Sequence, residues 1–158
     1  MILKLTSNSP TNTEKIGYNL GKRLKGGEII ELASDLGGGK TTFVRGVAAG
    51  AGSQDKVASP SFTLNRLYKC PNFEINHFDF YRLNDAGVMA HELADIVNDS
   101  ESVVIIEWAG VVESVLPSEK MEIKIRVPDI DSRQLIFNYP ASMSYLLSDY
   151  VDTNNSHR

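Results

Sequence analysis

The sequence contains one segment whose residue types suit phosphate binding, Leu36-Gly37-Gly38-Gly39-Lys40-Thr41. The pattern for a phosphate-binding loop is G-x-x-x-x-G-K-[ST], and Gly39-Lys40-Thr41 fits its second half. Glycines let successive backbone N–H groups approach phosphate oxygens, the lysine neutralises the β- and γ-phosphates, and the threonine hydroxyl binds Mg²⁺. The segment follows an apolar run and opens a helical pattern, as this chemistry requires. We therefore favour nucleotide phosphate binding over a glycine-rich turn with a surface lysine.

Ser34 stands where the phosphate-loop pattern has its first glycine. If this position demands a conformation that favours glycine, the serine strains the loop by about 1 kcal/mol. If Ser34 adopts an ordinary conformation, the departure has no consequence.

Two acidic residues are candidates for the magnesium side of the site. Glu107 directly follows the apolar run Val103–Ile106, which places a carboxylate at the end of a buried strand. Asp79 lies among aromatic residues, where a drier setting strengthens charge contacts, and it can orient a water or hold a metal-bound water. The simpler alternatives are a solvated glutamate and an aspartate that pairs with Arg82 or caps a turn.

Three further features carry weaker signals. Trp108 either covers the nucleotide or packs in the core. The hydroxyl-rich segment Ser59–Thr63 is either a plain loop or one that reaches the γ-phosphate, as switch segments do. His77 and His91 are read as structural histidines and are assigned no role.

The elements around these residues alternate between helix and strand. The capping box Thr11-x-x-Glu14 predicts a helix that ends at Gly26-Gly27, followed by a buried strand over 28–33 and a helix over 41–51. Two strands over 62–69 and 73–80 are joined at Cys70-Pro71-Asn72, and a helix follows over 84–98. The later elements are a buried strand over 103–106, a hairpin over 121–139 and a last helix over 141–151.

This order predicts a single α/β domain over residues 1–151 with a disordered tail over 152–158. The fold expected is of the P-loop NTPase type, with a mixed, mostly parallel sheet flanked by helices and extended by antiparallel hairpin strands.

Composition excludes several classes of protein. The chain has 158 residues, net charge −4 and one cysteine, Cys70, so it forms no internal disulfide and lacks the basic excess of a protein that binds nucleic acid by itself. No apolar stretch is long enough to span a membrane and no signal peptide is recognisable, so we expect a cytoplasmic protein. The guanine-reading N-K-x-D and the kinase motifs H-R-D and D-F-G are absent, which favours an adenine nucleotide.

Taken together, the motifs resemble those of the TsaE (YjeE) family of small P-loop ATPases, which are required to make threonylcarbamoyladenosine in tRNA. The resemblance spans residues 13 to 108, and the C-terminal hairpin with Arg133 matches more loosely. The matching pieces are Thr13-x-x-x-Gly17, Asp35–Thr42, Arg45-Gly46, Ser59–Leu64, His77–Leu83 and Ile105–Trp108.

The resemblance implies an ATP-hydrolysing subunit that works with two partners, TsaB and the catalytic subunit TsaD, and meets tRNA only through that complex. It implies that Lys40, Thr41 and Thr42 meet the phosphates and that Thr41 and Glu107 serve Mg²⁺. It also implies a catalytic group of Lys40, Asp79 and Glu107. The implied nucleotide contacts are Thr13, Asp35, Leu36, Gly37, Gly38, Gly39, Lys40, Thr41, Thr42, Trp108 and Arg133.

Two other functions remain open at the level of sequence. A small-molecule kinase on the same core would need an acceptor pocket and an arginine-bearing lid, and we recognise no lid segment. A non-catalytic nucleotide-binding adaptor would bind ATP without turnover. Phosphate release, as against phosphorylation of an acceptor, separates these functions.

Overall fold

The computed structural model describes residues 1–34, 37–61, 63–85 and 87–155, with side chains up to residue 151. The strands are β1 (Ile2–Ser7), β2 (Ile29–Ser34), β3 (Asn65–Lys69), β4 (Glu74–Asp79), β5 (Ser102–Glu107), β6 (Met121–Arg126) and β7 (Arg133–Asn138). The helices are α1 (Pro10–Gly21), α2 (Lys40–Gly50), α3 (Val88–Ile96) and α4 (Ser148–Asn155), with 3₁₀ helices over Ala109–Val115 and Ala141–Leu147.

The strands form one sheet in the order β1-β7-β6-β2-β5-β4-β3. The central pairs β6–β2, β2–β5 and β5–β4 are parallel, whereas β1–β7, β7–β6 and β4–β3 are antiparallel. β7 and β3 are thus the two strands that run against the rest. The expected mixed sheet with a parallel centre and two antiparallel hairpins is confirmed.

The two faces of the sheet bury separate apolar clusters. Along β5, Val103 and Ile105 belong to the cluster that packs under α1 and α2, while Val104 and Ile106 belong to the cluster that packs against α3 and the first 3₁₀ helix. This alternation follows from the two-residue period of a strand. Glu107 continues the series of Val103 and Ile105 and therefore points to the face that α2 covers.

The first helix differs from the prediction at both ends. Its N-cap is Ser9, whose hydroxyl accepts a hydrogen bond from the Asn12 amide, so Thr11 lies inside the helix and does not cap it. The helix ends at Gly21, well before Gly26, and a Cβ on Gly21 would meet the backbone of α2. Strand β1 had no predicted counterpart.

The C-terminal end differs in detail as well. The helix expected over 141–151 is a 3₁₀ helix over Ala141–Leu147 followed by α4 over Ser148–Asn155. α4 therefore includes part of the segment 152–158 that the sequence suggested as a tail, and residues 156–158 lie outside the described part of the chain.

Within the described ranges, no helix combines the length and the apolar character needed to cross a bilayer. Cys70 is a free, partly buried thiol. Burial, together with the nearby Asp55 and Glu74 carboxylates, raises the pKa of Cys70 to about 11. The thiol therefore stays protonated at neutral pH, which makes it a poor nucleophile.

Helices α1 and α2 pack backbone against backbone because each carries a pair of glycines four residues apart. A Cβ atom built on Gly17 would lie 2.3 Å from the Phe43 carbonyl oxygen, and one on Gly46 would lie 2.0 Å from the Glu14 carbonyl oxygen. Gly21 and Gly50 are as close to the opposite helix. Real Cβ atoms do not tolerate such distances, so this contact requires glycine.

We expect Gly46→Ala to destabilise the protein by up to about 2 kcal/mol, because overpacking that costs about 1–3 kcal/mol outweighs the roughly 1 kcal/mol that alanine contributes as a better helix former. Denaturant unfolding followed by circular dichroism measures this change. Gly110→Ala is the matched control, since a Cβ there meets no atom within 4 Å. Equal stability of the two variants would contradict the close helix contact.

Candidate nucleotide-binding site

A cavity of about 330 Å³ lies where α2 begins, beside the carboxyl ends of the parallel strands. Its lining combines phosphate-loop glycines, hydroxyl groups, two carboxylates, one lysine and two aromatic rings. These residues are Gly37, Gly38, Gly39, Lys40, Thr41, Thr42, Ser59, Ser61, Asp79, Tyr81, Glu107 and Trp108.

The start of α2 has the features of an anion site. Its N-cap is Gly39, with φ of 99°, and no side chain caps the first turn. Gly37 also has a positive φ, 74°. A Cβ on either glycine would meet no atom within 4 Å, so glycine is required here for backbone conformation and leaves open space beside the loop. The uncapped amides of the helix end are hydrogen-bond donors for an anion.

Ser34 is the last residue of β2 and lies outside the left-handed region of backbone space. The expectation that it strains the loop is therefore wrong, and the alternative of an ordinary conformation holds. Its hydroxyl oxygen accepts a hydrogen bond from Lys40 Nζ at 3.3 Å. Ser34 thus holds the lysine at the loop.

Asp79 and Glu107 face each other across neighbouring strands. The parallel register of β4 and β5 places Asp79 directly opposite Glu107, and each is about 3% exposed. Asp79 Oδ2 accepts a hydrogen bond from the Ser61 hydroxyl at 2.7 Å, and Oδ1 accepts one from the Tyr81 amide at 2.9 Å. The hydroxyl-rich loop is therefore attached to this carboxylate. The Tyr81 contact also makes Asp79 the cap of a turn, one of the simpler roles considered for it.

Sequence reasoning assigned no role to His77, yet this side chain contacts the site. It is fully buried, and its Nε2 lies 3.2 Å from Glu107 Oε1. Its Nδ1 lies 3.5 Å from the Tyr68 hydroxyl, which donates to the Ala58 carbonyl oxygen at 3.0 Å. The signal that points to His77 is its spacing of two residues from Asp79, because a strand brings such residues to the same face.

Trp108 lies at the rim of the cavity and is 47% exposed, so it is not a core residue. Its ring lies 5.0 Å from the Tyr81 ring, centroid to centroid, at an interplanar angle of 51°. Two aromatic side chains thus present an accessible apolar edge beside the loop.

The remaining predicted contacts lie away from the cavity lining. The Thr13 hydroxyl is buried and hydrogen-bonded to Ser7 at 2.7 Å. Arg133 Nε donates to the Gly38 carbonyl oxygen at 3.2 Å, while its Nη1 donates to carbonyls of the preceding turn, including Ser132 at 2.8 Å. Arg133 therefore anchors the loop through its backbone. Asp35 and Leu36 lie outside the described residues.

The residues present fit a magnesium-bound nucleotide. Uncapped amides and Lys40 suit phosphate oxygens, and the oxygen atoms of Thr41, Asp79 and Glu107 suit a hard cation. In the described part of the chain, no group of three or more His, Cys, Asp or Glu side chains could hold a metal. Protein sites usually bind Mg²⁺ with few carboxylates together with phosphates and water.

The loop, its strand–helix setting and the carboxylate on the adjacent strand define a P-loop NTPase fold. Residues 7–135 match the family described as "Threonylcarbamoyl adenosine biosynthesis protein TsaE". The chain therefore belongs to the TsaE family.

Individual relatives agree with this assignment. The chain is 34% identical to the tRNA threonylcarbamoyladenosine biosynthesis protein TsaE of Bacillus subtilis, with 98% of this chain and 96% of the relative covered. It is 32% identical to the protein of the same name from Treponema pallidum, with 84% and 98% covered. The crystal structure of Bacillus subtilis YdiB superimposes with a TM-score of 0.78 at 28% identity, covering 98% of this chain and 97% of that one.

We expect nucleotide binding to change the fluorescence of Trp108, which is the only tryptophan of the chain and lies at the cavity rim. Titration with a non-hydrolysable ATP analogue should shift the emission in a saturable way. Lys40→Ala should require a much higher analogue concentration for the same shift. An emission spectrum that stays constant while calorimetry records binding would place the nucleotide away from this cavity.

Proposed function

We propose that this chain binds and hydrolyses ATP as a subunit required for threonylcarbamoyl modification of the adenosine next to the tRNA anticodon. The observation that carries this proposal is the convergence of the α2 N-terminus, Lys40, Asp79 and Glu107 on one cavity. The pathway comes from the family and from the names of the relatives. We propose that the protein performs this function in the cytoplasm.

In this proposal the phosphates lie against the loop of residues 35–42 and Lys40 neutralises their charge. Thr41 and Glu107 hold Mg²⁺, which when bound supplies charge stabilisation at the phosphate oxygens. Asp79 orients the attacking water from the strand next to Glu107.

Aromatic and anchoring residues complete the proposed site. Trp108 covers the nucleotide from the rim, and Arg133 keeps the loop in place through the Gly38 carbonyl. Thr13 acts indirectly, since its hydroxyl binds Ser7, the residue paired with Arg133 in the β1–β7 ladder.

We expect Lys40→Ala to weaken ATP binding about 10- to 100-fold, since a charge-assisted contact contributes about 1.5–3 kcal/mol, and to abolish phosphate release. Calorimetry and a phosphate assay measure the two effects. Lys56→Ala, at an exposed lysine outside the cavity, is the control. Wild-type behaviour of Lys40→Ala would refute the proposed phosphate site, and a phosphorylated acceptor in place of free phosphate would indicate a kinase.

The cavity carries a single cation among its described lining residues, Lys40, beside two carboxylates. Arg133 donates from Nε and Nη1 to backbone carbonyls, and it is not among the lining residues of the cavity. Besides the proposed Mg²⁺ and Lys40, no described lining residue offers a positive charge, such as that of an arginine, to the developing γ-phosphate charge. This supports a requirement for the partners TsaB and TsaD.

We expect slow phosphate release from the isolated chain and faster release when TsaB and TsaD are added. The rate of phosphate release increases ~10³-fold or more only if a partner inserts an arginine into the site. A reconstituted reaction with tRNA, followed by mass analysis of the modified nucleoside, should depend on this chain and fail with Lys40→Ala. Equal hydrolysis rates with and without the partners would reject partner activation.

A further inference from the structure

We propose that His77 is a positioning residue, which orients the Glu107 carboxylate for Mg²⁺ and is itself held by Tyr68. This inference rests on the proposed role of Glu107 at the metal. In this proposal, His77 determines the direction of the Glu107 oxygen that faces the metal.

The first step of the argument is the contact between His77 and Glu107. A carboxylate oxygen accepts hydrogen bonds, so the contact of 3.2 Å uses the Nε2–H of His77 and Oε1 of Glu107. Among the described residues, Glu107 Oε2 accepts no hydrogen bond. Since Glu107 also lines the cavity, one oxygen is fixed by the imidazole and the other remains available toward the nucleotide side.

The second step is burial. The side chains of His77 and Glu107 are 0% and 4% exposed. A buried carboxylate oxygen without a partner is costly, so the contact with the imidazole stabilises Oε1 in its position.

The third step is the support of the imidazole from its other side. Tyr68 is 1% exposed, and its hydroxyl proton is shared between two acceptors, the Ala58 carbonyl oxygen at 3.0 Å and His77 Nδ1 at 3.5 Å. Ala58 immediately precedes Ser59, and the Ser61 hydroxyl binds Asp79. Both carboxylates are thus connected to the same segment, residues 58–61, by separate routes.

The test separates the two nitrogens of His77. His77→Gln places an amide nitrogen near the position of Nε2 and keeps a donor for Glu107. His77→Asn places its amide near Nδ1 and loses that donor. Both remove the ring, and Asn is the smaller of the two, so a role in packing would also change the binding of the analogue without metal.

Calorimetric titration of Mg²⁺ into the protein with a non-hydrolysable ATP analogue is the measurement. We expect Glu107→Gln and His77→Asn each to lower the apparent Mg²⁺ affinity about 10- to 100-fold, as loss of a metal ligand's supporting partner does. His77→Gln should recover most of this loss. In the two His77 variants, binding of the analogue without metal should stay near the wild-type value. His91→Asn, at an exposed histidine on α3, is the control for substituting histidine.

Three results would overturn the inference. Wild-type Mg²⁺ affinity in His77→Asn, together with a loss in Glu107→Gln, rejects the role of His77 and leaves the proposed function intact. Equal losses in His77→Asn and His77→Gln indicate packing. Unchanged Mg²⁺ affinity in Glu107→Gln removes the metal role of Glu107 from the proposed function and the inference with it.

Tyr68→Phe keeps the inference testable if a His77 variant fails to fold, because it retains both rings. It removes the support of the imidazole and leaves the donor to Glu107 in place. We expect a smaller loss of Mg²⁺ affinity than in Glu107→Gln, with metal-free binding unchanged. No loss in Tyr68→Phe would contradict the role of Tyr68.

Discussion

The parallel register between β4 and β5 is the constraint on which the site depends. It sets Asp79 opposite Glu107 and brings His77 to the same face, two residues earlier on β4. Because side chains alternate along a strand, a slip of one residue would turn Glu107 toward the apolar cluster of Ile106 and Phe78. A carboxylate there would lose its imidazole partner at a cost of several kcal/mol. The same contacts that build the site therefore also fix the register.

The helix pair extends this constraint to the phosphate loop. The N-terminus of α2 lines the cavity only if the helix is held over the sheet. The glycine contact with α1 lets the two helix backbones touch, since a Cβ at Gly17 or Gly46 would meet backbone. Arg133 holds the loop from the hairpin side through the Gly38 carbonyl. Residues far apart in the chain thus cooperate to position a few amides.

The sequence predicted the parts of the fold that local patterns determine. The apolar runs that became β2 and β5, the helix after Gly39 and the two hairpins all follow from short-range periodicity and turn residues. β1 was missed because it pairs only with β7, more than 120 residues later, and its exposed face gives little apolar signal. The helix start predicted at Thr11 was wrong because a capping box alone does not distinguish between neighbouring cap residues. Ser9 followed by Pro10 is the more favourable N-cap, and the helix uses it.

The positions of several candidate site residues were predicted for a similar reason. Lys40, Thr41 and Glu107 belong to a motif or a strand end, so their positions follow from the elements that carry them. His77 was not predicted because its role depends on a contact across 30 residues of sequence, which no local pattern contains. The hydrogen bond from Lys40 to Ser34 was also not predicted, and the sequence suggested strain at Ser34 instead.

Backbone strain gives the last link between the fold and the site. Among the described residues, Leu64 and Trp108 are the two non-glycine residues with positive φ, 64° and 57°. Each such conformation costs about 1–3 kcal/mol and persists only where surrounding contacts require it. Trp108 directly follows Glu107, and the Leu64 carbonyl accepts the Asp79 amide at 3.0 Å. The two strained residues therefore lie next to the two carboxylates. Trp108 takes the chain from the end of β5 into the rim of the cavity, and Leu64 lies in the segment directly before β3.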